Sequence, residues 1–198
     1  MSSRRRLFRA LYRLGFTPWD GHPLSPTLRN LVEGEDALPA GAALDIGCGT
    51  GDSSIYLAKN GWRVTGVDYV AKPLEAARAK AKKAGVTVDF READATRLES
   101  AGIGTGFGLI VDNGCLHGMS AEDRAAYVRG VSAVIAPGGR LFIVAFTPGG
   151  SFGVPGIAPD EVTRRFADGW TVLSSGPEPD VGSRNADAVQ HYLFQRAG

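Results

Sequence analysis

Three glycines spaced two residues apart constrain this chain more than any other feature of its sequence. The apolar run Leu44-Asp45-Ile46 leads into Gly47-Cys48-Gly49-Thr50-Gly51, and a helical pattern starts at Asp52. Glycine accepts a positive φ and lets the backbone come close to a ligand, because it has no Cβ atom. The free N–H groups of the following helix would point into the turn. This pattern predicts a strand, a turn and a helix that bind a nucleotide-type cofactor; a glycine-rich turn without a ligand is the alternative.

Two more acidic residues follow the ends of the next predicted strands. The β-like run Trp62–Asp68 ends in a carboxylate, and the run Val86–Phe90 is soon followed by Asp94. One carboxylate can accept hydrogen bonds from both hydroxyls of a ribose. Asp68 is therefore the candidate ribose ligand. The alternative is an aspartate that caps a turn or helix, which is common where a strand leads into a helix.

The glycine spacing differs from the dinucleotide fingerprint G-x-G-x-x-G, because the third glycine comes one residue early. The pattern D-x-G-x-G-x-G at residues 45–51 resembles the first motif of the class I S-adenosylmethionine-dependent methyltransferases. The resemblance extends over roughly residues 42–146. It implies S-adenosylmethionine as cofactor and S-adenosylhomocysteine as product, with Asp94 and the N–H of Ala95 near the adenine. The implied cofactor-binding residues are Trp19, Asp45, Gly47, Gly49, Gly51, Asp68, Tyr69, Asp94, Ala95, Asp112 and Asn113.

The rest of the chain alternates strand-like and helix-like segments, which predicts a parallel sheet with helices on both faces. The last two strands have no helix between them, so we expect antiparallel neighbours, as in the reversed last strand of the methyltransferase family. The expected fold is an α/β, Rossmann-like, mostly parallel seven-stranded sheet with an antiparallel last strand and an N-terminal helical lid. The expected helices are Ser25–Glu33, Asp52–Asn60, Lys72–Ala84, Ala121–Ile135 and Pro159–Ala167. The later expected strands are Leu109–Asp112, Gly139–Phe146, Trp170–Ser175 and Ala188–Arg196.

Length and composition favour one globular domain and argue against several partners. The 198 residues divide into N-terminal helices and lid (1–40), a cofactor-binding core (42–146) and a substrate-side region (147–198). A net charge of +1 gives no electrostatic case for nucleic acid or an anionic membrane as partner. Two cysteines without metal-ligand spacing indicate reduced thiols, no metal site and a cytoplasmic location. The oligomeric state is open, with a homodimer as one alternative.

Candidate groups for the methyl acceptor lie in three loops. His117, after the fourth strand, is the candidate general base, because the ordinary pKa of imidazole lies near working pH. Asp112 would orient His117 or contact the substrate, and purely structural roles are equally open for both. Trp19 lies in a segment that resembles the lid of thiopurine and tellurite-resistance methyltransferases, so it would cover the cofactor or wall the acceptor pocket. The expected substrate-binding residues are Trp19, Asp20, His22, His117 and Phe152.

Together these features predict transfer of a methyl group from S-adenosylmethionine to a hydroxyl oxygen of a small molecule. A sugar is one such acceptor, since the chain also resembles mycobacterial sugar O-methyltransferases. A thiol, thiopurine or tellurite acceptor is the first alternative, because soft nucleophiles need little help from a base. The second alternative is a cofactor-binding module without turnover.

Overall fold

The computed structural model describes residues 23–149, 154–178 and 188–198. Within these ranges the strands form one sheet in the order β3-β2-β1-β4-β5-β7-β6. The strands are β1 (Ala42–Ile46), β2 (Arg63–Asp68), β3 (Asp89–Glu92), β4 (Phe107–Asn113), β5 (Ile135–Phe146), β6 (Trp170–Pro177) and β7 (Val189–Arg196).

The direction of the strands decides where a ligand can bind. β1 pairs in parallel with β2 and β4, β2 with β3, and β4 with β5. β7 runs antiparallel to both of its neighbours, β5 and β6. The predicted Rossmann-like sheet with a reversed last strand is therefore confirmed. β7 begins at the edge where the parallel strands end, because Val189 pairs with Phe146, and we call this edge the carboxyl edge.

Helices cover both faces of the sheet. One face carries α1, α2 and α3, whose apolar residues, such as Leu28, Leu57 and Leu74, are buried. The opposite face carries α4, α5 and a short 3-10 helix at Ala95–Ser100, with Tyr127 and Val162 buried there. The helices are α1 (Pro26–Glu33), α2 (Asp52–Lys59), α3 (Ala71–Ala84), α4 (Ala121–Val134) and α5 (Pro159–Arg165).

Two strands begin three or more residues away from their expected starts, and the other strand bounds differ by two residues or fewer. β3 begins at Asp89 and not at Val86, because the N–H of Val86 bonds to the carbonyl of Ala81 and helps to end α3. Gly85 takes a φ of 71° at that helix end, as a C-terminal glycine commonly does. β5 begins earlier than expected, at Ile135, directly after α4.

The expected N-terminal helix and lid lie outside the described residues. Among the helices that the structure describes, none is both long and apolar enough to cross a membrane.

Candidate cofactor and acceptor site

The predicted glycine turn is confirmed at the carboxyl ends of β1 and β2. Gly47, Gly49 and Gly51 take φ values of 68°, 52° and 85°, a region that side chains strongly disfavour. A Cβ atom on Gly51 would lie 2.9 Å from the ring of Phe90, and one on Gly47 would lie 3.3 Å from Cβ of Cys115. Backbone conformation and space therefore both require glycine, and α2 starts directly after the turn.

The carboxylate of Asp68 lies against this turn. Its Oδ2 accepts a hydrogen bond from the Gly49 N–H at 3.1 Å, and its Oδ1 accepts one from the Val70 N–H at 2.9 Å. Burial raises the pKa of Asp68 to about 6. The structure thus brings Asp68 to the expected place for a ribose ligand. It also gives Asp68 the turn-stabilising contacts of the alternative interpretation.

Asp45 is buried beneath the same turn. Its Oδ2 accepts a hydrogen bond from the Ser54 hydroxyl at 2.5 Å, which ties α2 to β1. Burial raises the pKa of Asp45 to about 7, and the nearby charges of Asp112 and Asp68 add to this rise. Sequence reasoning missed the Ser54 contact, because a serine early in a helix has many ordinary roles.

Asp112 has a structural role that sequence reasoning left open. It is fully buried, and its carboxylate accepts hydrogen bonds from the N–H groups of Cys115 at 2.6 Å and Leu116 at 3.1 Å. Burial raises its pKa to about 6. These bonds close the turn after β4 and support the structural alternative. Among the described residues, Asp112 makes no hydrogen bond to His117 that would orient it, and contact of Asp112 with the substrate stays a prediction.

Three buried carboxylates thus lie near one another at the carboxyl ends of β1, β2 and β4, and their negative charges favour a positively charged ligand. The charges of Asp112 and Asp68 both disfavour ionisation of Asp45. S-adenosylmethionine carries a sulfonium and an ammonium group, so the negative potential of Asp45, Asp68 and Asp112 suits it. Glycines that leave room for a ligand, together with this potential, make the residues present fit this cofactor.

His117 is held in a state that does not suit a general base. Its Nδ1 accepts a hydrogen bond from the Phe146 N–H at 3.2 Å, and the two rings pack edge to face at 5.0 Å. A nitrogen that accepts carries no proton, so the neutral ring carries its proton on Nε2. Burial, helped by the Arg124 charge, lowers the pKa of His117 to about 4. His117 can donate a hydrogen bond from Nε2, but it is a weak proton acceptor.

Of the remaining predicted residues, four lie in the described part of the chain and four lie outside it. Asp94 begins the 3-10 helix, and its Oδ1 accepts hydrogen bonds from the Thr96 N–H at 2.9 Å and the Thr96 hydroxyl at 2.8 Å. Tyr69 follows β2, and the exposed Asn113 ends β4, so both lie at the carboxyl edge. The roles of Asp94, Ala95, Tyr69 and Asn113 toward the cofactor stay predictions. The predicted residues outside the described ranges are Trp19, Asp20, His22 and Phe152.

Arg124, which sequence reasoning missed, joins the loops that follow β4 and β5. From α4, its Nη2 donates to the carbonyl oxygens of His117 at 3.2 Å and Gly156 at 2.6 Å. Its Nη1 donates to both carboxylate oxygens of Glu161 on α5, at 3.0 and 3.1 Å. Arg124 is only 6% exposed. No local sequence signal identifies it, because an arginine in an amphipathic helix is usually exposed.

A second missed group lies where β6 ends, and we call Ser25, Thr27, Glu178 and His191 the Glu178 cluster. The buried carboxylate of Glu178 accepts hydrogen bonds from the Ser25 hydroxyl, from the Thr27 hydroxyl at 2.6 Å and from the Thr27 N–H at 3.3 Å. His191 Nδ1 lies 3.2 Å from Oε2 of Glu178. These bonds hold the start of α1 against β6 and β7. A contact across 153 positions leaves no trace in the local sequence pattern.

Comparison with known proteins agrees with the fold and the turn. A family model described as a methyltransferase domain matches residues 43–139. The chain is 32% identical over 192 residues to the S-adenosyl-L-methionine-dependent Diels-Alderase iccD of Talaromyces variabilis. Residues 43–139 therefore form a methyltransferase domain, and the chain is similar to the class I S-adenosylmethionine-dependent methyltransferases. S-adenosylmethionine is accordingly its cofactor.

The relatives differ in chemistry and in length. The match to the fungal Diels-Alderase covers 92% of this chain and 63% of that protein. The 2-heptyl-1-hydroxyquinolin-4(1H)-one methyltransferase of Mycobacteroides abscessus is 28% identical over 166 residues, covering 81% of this chain and 71% of that protein. A solved structure that concerns conversion of a disulfide bond into a thioacetal group during echinomycin biosynthesis has a TM-score of 0.75 and 28% identity. That match covers 97% of this chain and 92% of the other.

Proposed function

We propose that the protein transfers the methyl group of S-adenosylmethionine to a hydroxyl oxygen of a small organic molecule. The observation that carries the cofactor side is the group of buried carboxylates, Asp45, Asp68 and Asp112, at the strand ends beside a turn whose three glycines all have positive φ. The relative from Mycobacteroides abscessus, named for a hydroxyquinolinone substrate, supports a hydroxyl acceptor on a small organic molecule. A sugar hydroxyl belongs to the same chemical class and is included in the test.

Some of these residues would bind the cofactor, and others would contact the acceptor. When bound, S-adenosylmethionine supplies a methyl group on a positively charged sulfur. Asp68 would bind the ribose hydroxyls, and Asp94 with the N–H of Ala95 would bind the adenine. His117 would donate a hydrogen bond from Nε2 near the acceptor and not remove its proton. Much of the rate would come from alignment of acceptor and methyl group, which an enclosed site supplies.

A sulfur acceptor is the second candidate, and a specific observation favours it. The lowered pKa of His117, about 4, leaves that residue unable to deprotonate a weakly acidic hydroxyl near neutral pH. Thiols reach their anionic form near neutral pH without such help. The solved structure that resembles this chain also concerns sulfur chemistry, since it is described for thioacetal formation.

The cofactor assignment is tested by calorimetry with S-adenosylhomocysteine. We expect Asp68→Ala to weaken binding roughly 10- to 100-fold, because hydrogen bonds to a charged group are worth about 1.5–3 kcal/mol. Asp89→Ala is the matched control, since this exposed aspartate on β3 pairs only with Arg91 among the residues described. Equal affinities for the two variants would remove the ribose role of Asp68.

The acceptor assignment is tested with cofactor that carries an isotopically labelled methyl group. The acceptors are phenols, an N-hydroxyquinolinone, simple sugars and thiols, and the products are identified by mass spectrometry. We expect labelled ethers from at least one hydroxyl class. Labelled thioethers alone would favour the sulfur candidate. Cofactor binding without transfer to any acceptor would favour a module without turnover.

A further inference from the structure

The two histidines in the described part of the chain are held in opposite tautomers near the carboxyl edge. His117 accepts a hydrogen bond at Nδ1 and carries its proton on Nε2. His191 has Nδ1 at 3.2 Å from Oε2 of Glu178. Two unshared electron pairs at that distance in a buried site would repel each other, so the proton lies on Nδ1 of His191. In the neutral form of this tautomer, the lone pair of the ring is on Nε2.

From this arrangement we propose that His191 accepts the proton of the methyl acceptor and that Glu178 is the residue that positions it. The inference rests on the proposed function, since it assigns the base for a hydroxyl acceptor. A carboxylate at one imidazole nitrogen fixes the ring orientation and stabilises the imidazolium that forms when the other nitrogen takes a proton.

The position of His191 in the sheet places it beside the acceptor region. One row of paired residues crosses the sheet through Asn113, Val144, His191 and Gly176. Asn113 ends β4 at the cofactor side, and adjacent strands lie about 4.8 Å apart. His191 is therefore two strands, or roughly 10 Å, from Asn113.

His191 also lies on the same face of the sheet as Phe146, the residue that contacts His117. Phe146 pairs with Val189 and Val144 pairs with His191, so Phe146 and His191 are diagonal neighbours on the face that α1 covers. Phe146 in turn contacts His117. The two imidazoles thus flank Phe146, one as a hydrogen-bond donor and the other as a proton acceptor.

The side chains of Glu178 and His191 differ in their exposure to solvent. The side chain of Glu178 is 0% exposed and that of His191 is 15% exposed. β7 is an interior strand, with β5 and β6 on its two sides. Part of the imidazole of His191 is nevertheless accessible from outside the core. Glu178 meanwhile is fixed by Ser25 and Thr27 and has no freedom to turn away.

His191 Nδ1 makes no hydrogen bond of normal geometry, although its distance to the Glu178 carboxylate is short. Catalytic hydrogen bonds are often poorly aligned before substrate binds and improve in the complex. A ligand that contacts Nε2 would draw the ring into line.

The proposed step transfers a methyl group to the acceptor and a proton to His191. The hydroxyl oxygen forms a bond to the methyl carbon, and the carbon–sulfur bond of the cofactor breaks with its electron pair going to sulfur. The hydroxyl proton moves to Nε2 of His191, and Glu178 balances the charge of the imidazolium. The proton is released to water after the methyl ether and S-adenosylhomocysteine leave.

The test compares phenol with thiophenol as methyl acceptors for the full-length protein. We expect His191→Gln and Glu178→Gln to lower kcat on phenol by about 100-fold, a typical effect of general-base loss. The rate on thiophenol should change less than about threefold, because a thiol ionises without a base near neutral pH. Asp89→Asn is the matched control: it neutralises an exposed carboxylate on β3, at the opposite end of the sheet from His191, and it should keep the wild-type rates on both acceptors.

Equal losses on both acceptors, or no loss on phenol, would overturn the base role. Nitrogen-15 NMR of the imidazoles provides a readout that does not depend on turnover. The sequence has three histidines, so single variants assign the signals. A proton on Nε2 of His191 would overturn the pair even if the variants failed to fold. Failure of the proposed function would give a different result. The wild-type protein would then bind S-adenosylhomocysteine but methylate neither acceptor, and this result would also remove the base role of His191.

Discussion

A buried carboxylate beside other carboxylates ionises only at a cost, and a cationic ligand reduces that cost. Burial and neighbouring charges raise the pKa values of Asp45 to about 7 and of Asp68 to about 6. Below these values, binding of a cation must displace protons. The affinity for S-adenosylmethionine should therefore fall as the pH decreases from 8 to 5.5.

Calorimetry at several pH values measures this trend, and the product is the matched ligand. S-adenosylhomocysteine lacks the sulfonium charge, so its affinity should depend less steeply on pH than that of S-adenosylmethionine. Asp68→Asn should flatten the dependence for S-adenosylmethionine. Identical pH slopes for the two ligands would mean that the carboxylates do not sense the sulfonium.

The sequence predicted the positions of some residues of the site but not their protonation states. The glycines and Asp68 were predictable because strand ends, turns and acidic residues follow one another within a few positions. The state of His117 was not, because the N–H that occupies its Nδ1 belongs to Phe146, 29 positions later. A residue type indicates which chemistry is available, whereas the partner across the fold decides which protonation state is present.

Among the elements, the connection made by Arg124 is the most informative. Its guanidinium bridges α4, the turn after β4, the loop at Gly156 and α5. Removal of one member of a buried ion pair commonly costs about 3–5 kcal/mol, because the partner charge and the bonded carbonyls lose their donors. Lysine keeps the charge but cannot reproduce the planar set of donors.

Because lysine keeps the charge and Glu161 is partly exposed, we expect Arg124→Lys to lower the free energy of unfolding by about 2 kcal/mol in urea denaturation, through lost donors to buried carbonyl oxygens. Arg164→Lys is the control, since its pair with Asp160 is exposed and should contribute less than about 1 kcal/mol. The folded Arg124→Lys protein should still bind S-adenosylhomocysteine, because Arg124 does not contact the glycine turn. Similar stability losses for both variants would show that the bridge contributes little.

The boundaries of elements were predictable where the local signal was strong. α2 begins at Asp52 and α4 at Ala121 as expected, because the glycine turn and the Ser120 cap fix their starts. β3 was predicted too early, because the alternation of Val86 and Val88 looks like a strand. Those valines pack instead against the cluster of Ile55, Leu74 and Phe90 as the chain leaves α3.

The whole molecule combines groups that no local window contains. Residues from Asp45 to His191 meet at the carboxyl edge because parallel strands end there and the reversed β7 begins there. The class of fold and this edge followed from the order of strands and helices. The Glu178 cluster did not, since it joins the start of α1 to the end of β6 across the entire domain.

The same carboxylates that favour cofactor binding at high pH should destabilise the ligand-free protein there. Asp45, Asp68 and Asp112 have pKa values of about 7, 6 and 6, above the ordinary value of 3.8 that applies when unfolded. The folded state therefore binds more protons, and its stability falls as the pH rises through 6 to 7. His117 acts in the opposite sense, because its pKa of about 4 makes acid destabilising, with a smaller effect between pH 8 and 6.

The net expectation is that the ligand-free protein gains about 1–2 kcal/mol between pH 8 and pH 6, or roughly 3 °C in Tm. Differential scanning fluorimetry across this range measures the change. Asp45→Asn should remove most of the gain, because Asp45 titrates nearest to neutral pH. Saturating S-adenosylmethionine should reverse the trend, since its stabilisation grows with its affinity and that affinity is highest at pH 8. A ligand-free Tm that rises from pH 6 to pH 8 would contradict this account, because it would mean that the three carboxylates are already ionised when no cation is bound.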